Sequence, residues 1–527
     1  MRFNSLAISV LLLCCALPAA AGDKDGLRDF DFIKETTPCL NLSNPAALSA
    51  WNGKISKASV MLDKEDGPLV SLIQSKDSYE AVAGTESFVR ISNKTAFHGN
   101  ISWGYFNGKD MGGQILIDPY YNPVNFLESD PATIGTKQRE SYSLKGDMSH
   151  TFNSRWAAGI GVKFDCKDQT KIKDPRFMTY WTDLRLDAGV SFRPSDGLML
   201  GASLFYRNTL EQIQGGIYGQ IDKQYFVQTD KGGFLGTVSE LVGDRNHMSL
   251  MSRRPMDNSF FGGALQVTSG DRLASEVSFA YRTGYYGRKS TSTAVFYEFS
   301  GIEVRYDGSY LIPSGNNLHR ISLSAGYATL GNNENKFNYV TPLGGVTEVQ
   351  YTGASHILDR SVIDGVMGYR WYRNTDGGRP EFTLGADFAF YSRFQHTDLF
   401  PIYRNSDFTR VDADIFCSRD FRMKKSIITP EIHALGRYGF GTEKEDGVTV
   451  AGGSSAKSFD YWLGRDFEFE TAPRYGAAAG VTFTIITAKG IAPYVKVTDS
   501  FMSLVSEPAH LDGRNRNVAA ITFGCTF

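Results

Sequence analysis

Ionisable residues recur at every second position through much of the chain. Asp183, Arg185 and Asp187 alternate with Leu184, Leu186 and Ala188, and Lys163 and Asp165 alternate with Val162 and Phe164. The same spacing aligns Glu303 with Arg305 and Asp307, Asp364 with Arg370, and Asp387 with Arg393. It also aligns Arg410, Asp412 and Asp414, and then Glu431, His433 and Arg437. Glu276, Arg282 and Arg320 fit the pattern singly. Residues two apart share a face in an extended strand, so the chemistry depends on what that face encloses. Around a channel these are lumen-lining candidates, able to bind a solute or to set ion selectivity with rings of charge. The competing interpretation is a wet interior of mutually paired charges that fills and stiffens the fold, and the near-equal mixture of signs favours it. Lys163 and Asp183, on adjacent segments, are expected to pair.

Two places could support histidine chemistry. His150-Thr151-Phe152-Asn153-Ser154-Arg155 brings a His and a Ser close together and loosely resembles an outer-membrane phospholipase, although the H-x-S-N-G order is missing. His433 stands between Glu431 and Arg437, where a lumen salt-bridge partner is the simpler role than a general base. Gly-x-Ser-x-Gly, P-loop and His-Glu-x-x-His motifs do not occur. Past residue 21 the cysteines are Cys39, Cys166, Cys417 and Cys525, with neither C-x-x-C nor zinc spacing. No catalytic residue, metal site or cofactor is expected.

The elements that must position these charges read as strands. Apolar residues alternate with small or polar ones in Trp156–Phe164, Leu184–Phe192, Ile321–Tyr327, Phe382–Phe390, Val411–Cys417, Tyr475–Ile485 and Ala519–Phe527. In a soluble sandwich the apolar face would be core; in a membrane barrel it meets lipid and the polar face lines the lumen. Segments of about 10 to 16 residues, longer than ordinary soluble strands, favour the barrel. Eighteen segments can be placed, with sixteen as the alternative, and every second connection is short and built from turn formers such as Pro194-Ser195-Asp196, Met423-Lys424-Lys425 and Ala488-Lys489-Gly490. The alternate connections are mostly long, notably 108–138, 209–256, 331–357 and 442–469. Short periplasmic turns and long extracellular loops are the bacterial pattern. The apolar register changes between Phe299 and Ile302, which predicts a bulge near Gly301. Tyr180-Trp181, Tyr285-Tyr286, Trp371-Tyr372 and Tyr461-Trp462 are expected at the membrane boundaries, whereas Tyr120-Tyr121, between Pro119 and Pro123, suit a loop folded into the lumen.

Composition agrees with this. The chain has 527 residues, 42% hydrophobic and 21% charged, and beyond residue 21 no apolar run suits a spanning helix. With 55 basic and 57 acidic residues, a formal net charge of -2, it shows no basic field for nucleic acid. Its 36 Phe and 26 Tyr exclude a disordered chain. Arg2, the Leu6–Leu13 stretch and Pro18-Ala19-Ala20-Ala21-Gly22 read as a signal peptide, residues 1–21. Residues 22–54 lack strand period and are expected to form a periplasmic tail or a plug ahead of a barrel over 55–527.

The alternation, the leader and the final Phe527 together resemble an outer-membrane β-barrel of the Bacteroidete type, in a family classed as a domain of unknown function. Asn44-Pro45-Ala46-Ala47-Leu48 is similar to the N-P-A segment of FadL-like transporters, whose fourteen strands differ from the count here. The resemblance implies an outer-membrane location and contact with outer-membrane lipid. It also implies a barrel-assembly machinery that reads the C-terminal strand through Phe527. The role expected is passage of a solute or hydrophobic ligand, alone or beside a TonB-dependent receptor or other envelope protein. A closed scaffold is the alternative and an enzyme the third.

Overall fold

The computed structural model describes residues 28–128, 130–219, 224–241, 254–375, 378–487 and 490–527. The leader over 1–21 and the first residues of the 22–54 segment lie outside the described residues. So do Ala488 and Lys489 of one predicted turn, and parts of the predicted 209–256 loop.

Eighteen antiparallel strands close on themselves. The first nine are β1 (Lys54–Asp66), β2 (Asp77–Arg90), β3 (Thr95–Met111), β4 (Gly135–Thr151), β5 (Trp156–Lys171), β6 (Arg176–Ser195), β7 (Leu198–Gly216), β8 (Pro255–Ser269) and β9 (Leu273–Gly287). The second nine are β10 (Val295–Ser314), β11 (Asn317–Val340), β12 (Glu348–Arg373), β13 (Phe382–Leu399), β14 (Ile402–Arg419), β15 (Ser426–Val448), β16 (Arg474–Ile485), β17 (Ala492–Leu504) and β18 (Asn515–Thr526). Each pairs with its sequence neighbours, and β1 pairs with β18 from Lys57↔Thr526 to Asp66↔Asn517. Phe527 completes that seam: its N–H donates to the Ser56 carbonyl at 3.0 Å, and its carbonyl accepts from the Ser56 N–H at 2.8 Å. Closure leaves the barrel wall without an edge strand. No described helix is long and apolar enough to cross a membrane.

Alternation sorts the side chains. Leu186, Val190, Leu204, Leu265, Val277, Phe279, Leu323 and Met367 are exposed on the outer surface in mid-strand. Their even or odd neighbours turn inward. Eight strands run 12 to 16 residues, as expected, and ten run 17 to 26, because inward apolar residues near one rim broke the simple pattern there. At 20 residues, β10 runs without a register shift through Gly301: Arg282↔Gly301 and Tyr281↔Ile302 continue the same ladder. The predicted bulge is therefore corrected. Val295, Tyr297 and Phe299 face inward and are buried, Tyr297 and Phe299 within the plug core, and the shift in this hairpin lies between Tyr286 and Gly287. The expected long loop 331–357 is likewise a continuation of β11 and β12, joined over 341–347, and 442–469 is largely β15 and a helix.

The predicted aromatic pairs also divide. Adjacent strand residues point to opposite faces. Tyr180 is exposed while Trp181 is buried, and Tyr286 and Tyr372 are buried inside. Trp462 is buried on helix α2 (Asp460–Thr471), not at a strand end.

The lumen is occupied from both ends. At the short-turn rim sit helix α1 (Phe30–Thr36) and two 3-10 turns, Pro38–Leu40 and Pro45–Ala50. Phe30, Leu40, Leu48, Phe88 and Met199 pack together there. From the long-loop rim, infolded segments build a small antiparallel sheet from Asn125–Glu128, Tyr225–Asp230, Leu235–Leu241 and Lys457–Ser458. Its core joins Ile115, Val124, Phe126 and Val227 to the inward wall residues Phe177, Ile213, Phe299 and Leu358.

Candidate functional site

The stopper at the short-turn rim is pinned through Asn44. Its Oδ1 accepts from the Ala46 N–H at 2.9 Å, starting the second 3-10 turn. Its Nδ2 donates to the Val190 carbonyl at 3.0 Å, the Ala202 carbonyl at 3.3 Å and Gln266 Oε1 at 3.0 Å. Glycines make the room. A Cβ on Gly189 would lie 2.1 Å from Asn44 Oδ1, and one on Gly159 would lie 2.4 Å from the Ala46 nitrogen. The N-P-A segment is thus the plug's anchor to the inner wall. Ser43 N–H donates to Glu276 at 2.9 Å, and Lys34 Nζ bonds both Glu86 oxygens at 2.8 and 2.9 Å. Burial pushes the Cys39 thiol up to about 12, so it packs as a small apolar group.

Between stopper and wall lies a cavity of about 280 Å³ lined by Lys34, Leu42, Phe88, His98, Lys145 and Lys163, among others. His98 sits between two carboxylates, Nδ1 at 2.8 Å from Asp147 and Nε2 at 3.0 Å from Glu86. Its ring stacks on Phe88 at 4.1 Å.

The infolded loop is latched by arginines. Arg360 donates to the Tyr120 and Asn122 carbonyls at 2.6 and 2.8 Å, and Arg282 donates to the Tyr121 carbonyl at 3.1 Å. Arg393 reaches Asp466 of α2 at 3.0 Å, and that carboxylate also accepts from the Tyr120 hydroxyl at 2.7 Å. Glu211 accepts from the Ile117 N–H at 2.6 Å and from Asn122 at 3.1 Å. Burial pushes the Tyr121 hydroxyl up to about 12 and raises the Asp118 carboxyl. In the plug sheet, burial raises the Asp230 carboxyl to about 6, although it accepts from the Gly232 N–H at 2.8 Å.

The charges singled out from the sequence line the inner wall, mostly in pairs. Lys163 meets Asp165 at 2.8 Å, Arg185 meets Asp187 at 2.8 Å, and Asp183 meets Arg207 at 2.8 Å. The expected Lys163–Asp183 pair is corrected: β5 and β6 register Lys163 with Arg185 and Asp165 with Asp183, two residues from the guess. Arg305 faces Asp307 and Asp364 at 3.3 and 3.2 Å, and Asp387 binds Arg370 at 2.6 Å. Asp412 is shared by Arg437 and Arg410, Glu431 takes Lys496 at 2.7 Å, and His433 faces Asp414 at 3.0 Å. Glu303 faces the Tyr121, Arg207 and Arg282 group through space. Arg305, Asp307 and Asp364 keep 47%, 44% and 36% of their side-chain surface exposed although they point inward, so this stretch of the inner wall is left uncovered by the plugs.

His150 meets the Thr95 hydroxyl at 3.3 Å and His433 stacks on Phe416; among the described residues neither bonds a Ser or Cys side chain. No cluster of three or more His, Cys, Asp or Glu suited to a metal occurs among the described residues. The sequence reading missed Lys145, Arg207 and Arg360. Extending the two-residue period would have reached Arg207, but inward-facing Phe205, over which Arg185 stacks at 4.0 Å, hid the alternation.

A closed antiparallel barrel, apolar outside and charged within, is a membrane-spanning β-barrel of the outer-membrane kind. The chain belongs to the family of unknown function DUF6850, whose model matches residues 45–527. No curated protein matches the sequence. Among solved structures it is similar to BauA, the ferric preacinetobactin receptor from Acinetobacter baumannii, at 7% identity and TM-score 0.35 over 89% of this chain and 80% of that one. It is also similar to the RagAB peptide transporter, at 10% identity and TM-score 0.35 over 90% and 75%. The receptor Fiu of E. coli K12 follows at 6% identity and TM-score 0.34 over 89% and 81%.

Proposed function

We propose that this protein is a gated barrel that passes a solute across the outer membrane and is closed at rest by its own stopper and infolded loops. The observation that carries this is the charged inner wall left exposed at Arg305, Asp307 and Asp364 in a lumen that is plugged from both ends. Each plug is held to the wall by polar contacts, from Asn44 at one end and from Arg360 and Arg282 at the other. Polar latches exchange readily for water or ligand, whereas a barrel serving only as a shell gains nothing from a wet interior. In this reading the short-turn rim faces the periplasm, and the β18 strand ending in Phe527 engages the assembly machinery.

Conductance in planar bilayers tests it. The full chain should give rare, brief openings, and the double variant Arg360→Ala, Arg393→Ala should open at least tenfold more often. Silence from both, with folding shown by heat-modifiable migration, would sink the reading.

A second reading has its own observation. From about Lys336 to Gly353 both faces of the β11–β12 hairpin are exposed, and its tip shows Tyr339, Leu343 and Val346 to solvent. That suits docking to another envelope protein, such as a TonB-dependent receptor. Co-purification lost on cutting the hairpin back would favour it.

A further inference from the structure

Register brings together what sequence spacing kept apart. Lys145 of β4 lies directly opposite Lys163 of β5, Lys163 opposite Arg185 of β6, and Arg185 opposite Arg207 of β7. Four cations thus form one row across four neighbouring strands on the inner face, spanning about 14 Å at the usual strand spacing. Beyond Arg207 the row continues through Phe260 to Arg282, which both reach the Phe260 ring, at 5.1 and 5.5 Å. Like charges directly opposed on adjacent strands repel, so four in succession are a cost to folding that closure alone does not require.

Each cation has a carboxylate, but the pairs are lopsided. Side-chain exposure is 38% for Lys145 against 9% for Asp147, and 44% for Lys163 against 16% for Asp165. It is 29% for Arg185 against 11% for Asp187, and 26% for Arg207 against 8% for Asp183. In all four the acid is recessed against the wall and the cation meets the lumen water. The surface offered to a solute is therefore positive, although the pairs nearly cancel in number. Because strands in such barrels tilt by about 35–45°, a row perpendicular to them climbs the lumen obliquely. Its lower end, Lys145 and Lys163, lines the cavity beside Lys34 and the N-P-A stopper. Its upper end reaches Tyr121 at the infolded tip, whose ring lies 5.5 Å from the Arg207 guanidinium.

We propose that this row is a binding track for a small solute bearing an oxyanion, a carboxylate or a phosphate, handed from the loop plug to the stopper cavity. The inference rests on the lumen being a solute path and names the class of solute. Inorganic phosphate is the probe, titrated calorimetrically into the full-length protein in detergent at low salt. Saturable binding is expected. It should weaken at least tenfold in Lys163→Gln and in Arg185→Gln, and strengthen severalfold in Asp165→Asn, where the recessed acid no longer competes. Lys496→Gln, which removes a lumen cation outside the row, should change it less than twofold. No binding to the folded wild type, or equal loss in Lys496→Gln, overturns the proposal while leaving gated passage to the conductance test. Binding as expected with no conductance in the latch variant would overturn passage and keep the anion site.

Discussion

Asn44 and Asp230 show how single side chains set the state of the lumen. Asn44 spends its amide on two wall carbonyls and Gln266, in a notch bounded by Gly189 and Gly201. Asn44→Ala leaves buried acceptors unpaired at a cost of about 1–3 kcal/mol. Trypsin should then cut after Lys34 at least tenfold faster, with the barrel itself intact. Gly189→Val should do the same by collision. Asp230 acts through pH. Its folded carboxyl titrates near 6, above the unfolded value of 3.8, because burial disfavours the charge. The folded state therefore binds the extra proton, and the plug sheet loses stability as pH rises from about 4 through 6. The opening free energy over 225–241, taken from hydrogen exchange corrected for its intrinsic pH dependence, should be higher at pH 5 than at pH 7 by about 1 kcal/mol. Asp230→Asn should flatten that dependence. Faster exchange at pH 5 would refute the burial argument.

At the scale of elements, the two plugs are built differently. The infolded loops share a continuous apolar core with the wall, including Tyr297 and Phe299 on β10. The N-terminal stopper has a smaller core and relies on Asn44, Glu276 and Glu86. Deleting residues 28–50 should therefore leave the loop plug protected from exchange, while the reverse loss, from Arg360→Ala, should loosen 112–134 and spare the stopper. The β11–β12 hairpin stands apart from both. Replacing 337–351 with a two-residue Asn-Gly turn should leave the melting temperature within a few degrees, since the removed residues pack on one another through Phe337, Tyr339 and Tyr351 and meet the rest of the barrel at Phe296, Val295 and Thr291 on the same rim. A collapse of the barrel would show that the hairpin braces the rim.

The whole molecule is a ring, and its seam is its last-formed contact in sequence. β1 and β18 are joined by ten registered positions and by the Phe527–Ser56 backbone bonds. Phe527→Ala keeps those backbone bonds and removes only the aromatic terminus. Refolding in detergent should be unchanged, while the amount of heat-modifiable barrel reaching the outer membrane should fall severalfold. Equal yields in the membrane would mean that the ring is not read during assembly.

The two-residue period, together with segment length and the alternation of short and long connections, determined the class of fold, because lipid outside and water inside impose opposite demands on alternate residues of every strand. It therefore located all eighteen strands and put Asp183, Arg185, Asp387 and Glu431 on one common face. It misread the region above Phe299 because an apolar residue facing an internal plug looks the same, in one dimension, as one facing lipid. Only tertiary structure decided which charges meet. Strand register lies in the pairing between segments, not within any one of them, and a two-residue slip separates a Lys163–Asp183 salt bridge from a row of opposed cations.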